Sequence, residues 1–105
     1  MAEKSRRERL EEMLADDPHD PFLRYGLAME YVSAGDDAAA ATCFTELLAA
    51  SPDYVPAYLQ AGQALVRLGR DDEAQAVLQK GVAVAQMKGE AHAAGEMQGF
   101  LDSLM

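Results

Sequence analysis

Few residues in this chain could do chemistry, and their spacing argues against most of what they could do. Asp16, Asp17 and Asp20, in DDPHD, look like a cation loop at first sight, but Pro18 interrupts them. No liganding glutamate follows at calcium-loop spacing, so the segment reads as an interhelix turn. His19 and His92 lie 73 residues apart, with no acidic or cysteine ligand spaced to complete a metal site. Cys43 has no histidine near it in sequence, and its helical phase places it beside Phe44 near a core, the setting of a structural thiol. Gly35 and Gly69 are solitary and build no phosphate-cradling loop. Gly95 and Gly99 have the spacing of a membrane-dimer motif, but Glu96, Gln98 and Asp102 exclude the apolar setting that motif needs. The sequence therefore predicts no catalytic residues, no metal site and no cofactor.

The elements that carry these residues are helices. Alanine, leucine, glutamate and glutamine dominate, and sustained β-branched alternation is absent. Apolar residues recur at helical spacing in six segments, 3–15, 21–34, 37–50, 56–68, 72–87 and 90–104. Asp20 and Pro21 read as an N-cap followed by a proline in the first turn, and Pro56 suits a first turn as well. Gly35 and Gly69 can end a helix in the left-handed conformation; Asp36 or Asp37, and Asp71, can cap the next. Connections this short set neighbouring helices antiparallel, so the expected fold is all-α, built of helical hairpins.

Composition bounds the rest. The 105 residues suffice for one small domain with a modest core, and one cysteine excludes an intramolecular disulfide. No apolar run approaches a membrane span, and the basic start, MAEKSRRER, lacks the apolar stretch of a secretory signal. These features predict a soluble cytoplasmic protein that uses neither membrane nor nucleic acid. The net charge of −9 splits into +2 over residues 1–9 and −11 over residues 10–105, and an acidic body repels phosphate backbones. Arg6, Arg7 and Arg9 are expected to solvate a helix.

A fixed period runs through the chain. Pro18 and Pro52, Val32 and Val66, Gly35 and Gly69, Asp37 and Asp71, and Ala40 and Ala74 are each 34 residues apart. Leu10, Phe44 and Leu78 carry one large apolar position through three copies at that spacing. These residues resemble the tetratricopeptide repeat. The first copy, 21–53, has Leu27, Ala28, Tyr31, Gly35, Asp36, Ala40, Phe44 and Pro52 at the family's positions. The second, 55–88, has Tyr58, Ala61, Gly62, Leu65, Gly69, Ala74, Leu78 and Gly81. Helix 3–16, with Leu10, Met13, Leu14 and Pro18, resembles a lone second helix. Arg24 stands where an aromatic is usual, Leu47 replaces a small residue, and Gln86 replaces the closing proline, so the last helix of the second copy is expected to run on or turn near Lys88 and Gly89. Two full repeats are fewer than such stacks need, so the expectation is a single short α-solenoid of about six helices. Helix 90–104 would cap it, with Gly95 and Gly99 on a face that permits close approach.

The resemblance implies a non-enzymatic protein-interaction module that presents a concave groove to a partner. Mapped by position, the groove is lined by Phe22, Tyr25, Met29, Val32 and Ser33, then Leu59, Gln63, Val66 and Arg67. Tyr25 and Met29 occupy places where family members that clamp the acidic tails of chaperones carry lysine and asparagine, which argues against that ligand. The remaining strip is apolar, aromatic and methionine-bearing, suited to an amphipathic helix or an extended hydrophobic peptide. The acidic net charge favours a basic partner. Two alternatives stay open: helix 90–104 covers the strip, or two copies bury it against each other as a homo-oligomer.

Overall fold

Ser5 and Glu8 fix where the first helix begins. The Glu8 amide donates to the Ser5 hydroxyl and the Ser5 amide donates back to the Glu8 carboxylate, a capping box that starts the helix later than periodicity alone suggests. The computed structural model describes residues 3–105, and among them six helices and no strand follow one another: α1 (Arg6–Asp16), α2 (Pro21–Ser33), α3 (Asp37–Ala50), α4 (Val55–Arg67), α5 (Asp71–Met87) and α6 (Ala91–Ser103). Asp20 caps α2 by accepting from the amides of Phe22 and Leu23 at 2.9 and 3.2 Å. Asp36, and not Asp37, caps α3 through the Ala39 amide at 3.1 Å.

The expected aspartate cap on α5 is corrected: Asp71 lies inside the first turn, and Arg70 holds the cap position without a capping side chain. Position 36 of the first copy falls on 70 in the second, where a guanidinium cannot accept an amide hydrogen. Arg70 instead pairs with Glu73, and the carboxylates of Asp71, Asp72 and Glu73 offset the positive end of the helix.

The helix exits repeat one design three times. Gly35, Gly69 and Gly89 take φ of 77°, 75° and 73°. The residue after each glycine donates back to the helix, Asp36 to the Tyr31 carbonyl, Arg70 to Leu65 and Glu90 to Ala85, at 2.8–2.9 Å. This closure satisfies orphan carbonyls and reverses the chain in a few residues. Each helix packs on the next, and α4 also touches α6. The closing proline missing at Gln86 has the expected effect: α5 runs to Met87, 17 residues against 14 in α3.

The core is a line of large side chains between helix pairs. Phe44, Leu47, Tyr58, Leu78 and Met97 are the largest fully buried residues, with Ala28, Ala40, Ala57 and Ala74 filling the close crossings. Two expectations about the flanks change. Arg6 and Arg7 do more than solvate α1: Arg6 Nε lies 3.3 Å from the Glu30 carboxylate and Arg7 sits 5.7 Å over the Tyr31 ring, pinning α1 to α2. Gly95 and Gly99 do not seat α6, since a Cβ built on either meets nothing within 4 Å. Ala94, Met97 and Leu101 seat it instead, all buried. Gly95→Ala and Gly99→Ala should therefore each stabilise the domain by about 0.5–1 kcal/mol, because only helix entropy is at stake. A rise in the urea midpoint checks this; a fall would show a contact that these positions need.

Candidate functional site

Tyr25 is the residue around which one face of the stack is organised. It sits one turn into α2, where its ring meets Phe44 at 6.0 Å and Tyr54 at 5.6 Å between centroids. Burial raises its phenol above the ordinary range, with a smaller push from Tyr54. Tyr25 thus forms a fixed wall of an open cleft of about 350 Å³, toward the low end of ligand clefts, which run from about 300 to 1,000 Å³. From α4 the cleft takes Val55, Pro56, Leu59 and Gln60; the α6 side supplies Glu90, Ala93, Glu96 and Met97.

The nine residues assigned to a groove from sequence are distributed unevenly. Tyr25 and Leu59 line the cleft. Phe22 projects from the start of α2 with 70% of its surface exposed. Met29 and Val32 pack against the cluster of Ala28, Ala40, Phe44 and Leu47, and Val66 packs against Ala64, Leu65 and Ala74, so all three are half core. Gln63 is half-buried and Ser33 exposed. Arg67 is engaged: its Nε donates to the Asp37 carboxylate at 2.9 Å, tying α4 to the start of α3.

Helix 90–104 does not lie across Phe22, Tyr25 and Met29. It packs on α5 and α4 and contributes a third wall, so self-covering by this helix is corrected too. The missed residues are Glu90, Ala93, Glu96 and Met97, and a signal for them existed. Ala94, Met97 and Leu101 repeat the buried spacing of Tyr58, Ala61 and Leu65, displaced by 36 residues instead of 34. The longer α5 accounts for the shift.

Other candidate groups are placed without a common site. His92 Nε2 lies 3.2 Å from the Glu96 carboxylate, while His19 is exposed in the α1–α2 turn. Cys43 is half-buried in a small cleft with Leu14, Pro18, Leu27 and Glu46, and burial pushes its thiol up, which keeps the thiolate scarce. No group of three or more potential metal ligands comes together among the described residues.

The sequence model of the tetratricopeptide repeat family matches residues 31–95, and a TPR repeat-containing protein of Pseudomonas aeruginosa is 33% identical over 97 residues, covering 92% of each chain. The chain belongs to the tetratricopeptide repeat family. A tetratricopeptide repeat domain protein of Salinibacter ruber is 34% identical, superposing with a TM-score of 0.77 over 81% of this chain and 94% of that one. PcrH, solved in complex with the chaperone-binding region of PopD, superposes with a TM-score of 0.87 over 93% and 74% of the two chains. At 16% identity that likeness is one of fold. The family match runs past the second repeat into α6, in keeping with α6 standing where the first helix of a third tetratricopeptide repeat would. The fold of this family is a protein-interaction fold in general, and no described helix is long and apolar enough to cross a membrane.

Proposed function

We propose that this tetratricopeptide repeat protein is a non-enzymatic interaction module that holds a segment of a partner protein in the cleft between α2, α4 and α6. One observation carries the reading: α6 walls the cleft instead of filling it, leaving Tyr25, Val55, Leu59 and Ala93 around an open space. Tyr25 is held by Phe44 and Tyr54, and Met97 is fully buried, so binding orders little on the module's side. PcrH offers support by fold alone, as a stack of similar shape that holds a region of PopD.

The test is a set of short peptides selected from a random display library against the whole protein, followed by NMR of the isotope-labelled protein. Selected peptides should shift the resonances of Leu59, Ala93 and Met97. Leu59→Asp should weaken them about 30-fold, as expected for an apolar anchor, while circular dichroism stays helical. Unchanged affinity in a folded Leu59→Asp protein would move the site elsewhere.

A further inference from the structure

Glu90 and Glu96 stand on the α6 side of the cleft, six residues apart in sequence, with Ala93 between them and Met97 behind. Glu90 holds the N-cap position of α6, yet its carboxylate accepts no capping hydrogen bond. Among the described residues it makes no ion pair, and the one group paired with Glu96 is His92, on the same helix. No lysine or arginine lines the cleft. The cation nearest to Glu90 in sequence, Lys88 at the end of α5, points its ammonium away to the Asp53 carbonyl at 3.0 Å. The cleft is thus an apolar floor with two carboxylates on one rim and no built-in counter-charge.

We propose that this cleft selects a partner segment carrying a lysine or arginine set between apolar side chains, the cation being received by Glu90 and Glu96. The inference rests on the docking reading above and adds the chemistry of the occupant. An apolar occupant strips water from the rim, so a carboxylate left without a partner is penalised and a cation placed beside it is favoured. An acidic residue at that place meets like charge and is rejected. The net charge of −9 works in the same direction at long range, raising the encounter rate of basic segments.

The experiment pans one random peptide display library against the wild-type protein, Glu90→Gln/Glu96→Gln and Glu90→Lys/Glu96→Lys. All three are checked for helicity and for mass by light scattering. Peptides selected by the wild type should be enriched in lysine or arginine flanked by apolar residues. Changing the basic residue of a selected peptide to glutamine should weaken binding about tenfold at low salt, since each exposed pair contributes roughly two- to fivefold, and the difference should shrink as salt screens it. In the glutamine variant that preference should vanish while apolar binding persists; the lysine variant should select acidic residues at the same place. Peptides that shift Leu59 and Met97 without any charge preference overturn this inference and leave the docking reading standing. Peptides that fail to touch the cleft overturn both. A wild-type dimer that the lysine variant abolishes assigns the cleft to a second copy of this chain and overturns the proposal of a separate partner.

Discussion

Phe44→Ala should cost the domain about 3–5 kcal/mol, the range for emptying a large aromatic site in a core. Phe44 is fully buried in the middle of the Leu10–Phe44–Leu78 series, so it has packed structure on both sides along the stack. Its buried neighbours are Ala28, Ala40, Leu47, Ala57 and Ala61, mostly alanines on helices already in close contact. Short side chains cannot swing in to refill the space, so most of the cavity persists and the loss lies toward the upper end. A domain of this size has about 5–15 kcal/mol in total, so the variant is left marginal. The effect should reach the cleft as well, because Phe44 is one of the two rings that hold Tyr25 in place. Urea denaturation checks it: the midpoint should fall with the slope unchanged. A loss below about 1.5 kcal/mol, well short of the usual cavity cost, would show that Tyr25 or Tyr54 moves in to refill the site, and peptide binding should then change in a protein that remains well folded.

The same period that makes this core legible in sequence also hides part of the site. Glycine and alanine recur at 34 residues because each marks a contact dictated by backbone geometry: a left-handed exit at Gly35 and Gly69, a close helix crossing at Ala40 and Ala74. Such positions tolerate few residue types, so they survive as pattern. Two of the breaks in that pattern are compensations. Arg24 turns its guanidinium to the Pro18 carbonyl at 2.8 Å instead of filling the repeat as Tyr58 does in the next copy. Leu47 carries volume at the position where the second copy has Gly81. The α6 wall is hidden from the 34-residue period for a different reason. Without a proline at Gln86, α5 extends three residues past the point that matches Ala50, and the buried series of α6 starts two residues late. A search at constant offset then finds His92 under Tyr58 and Gly95 under Ala61, neither of which suggests a packed face. The pairing of Arg67 is hidden for a third reason: its partner, Asp37, is thirty residues away, and no local pattern reports that pair.

Gly81→Leu tests the compensation directly and should destabilise the domain by about 3 kcal/mol, near the upper end of what overpacking costs. A Cβ at Gly81 would fall 2.6 Å from the Tyr58 Cβ and 2.6 Å from the Met97 sulfur. The Tyr58 Cβ is fixed to the α4 backbone, so it cannot turn away; the Met97 sulfur lies on a flexible chain and can. Overpacking costs roughly 1–3 kcal/mol for modest insertions and more where the neighbours are rigid. The better helix propensity of leucine offsets about 1 kcal/mol of that, so sterics win. In the first copy leucine is tolerated at this position because Leu47 packs in a cluster with Ala57 and Ala61. Met97→Ala alone should cost about 2–5 kcal/mol for its cavity, yet with a leucine introduced at position 81 that space becomes useful. The double variant should therefore be more stable than the sum of the single losses allows, with a favourable coupling of about 1–3 kcal/mol. Four urea titrations, of the wild type, both single variants and the double, measure it. Strict additivity would mean that the Tyr58 side of the contact carries all the strain, and Tyr58→Gly, which removes the fixed Cβ that alanine would keep, should then supply the missing coupling.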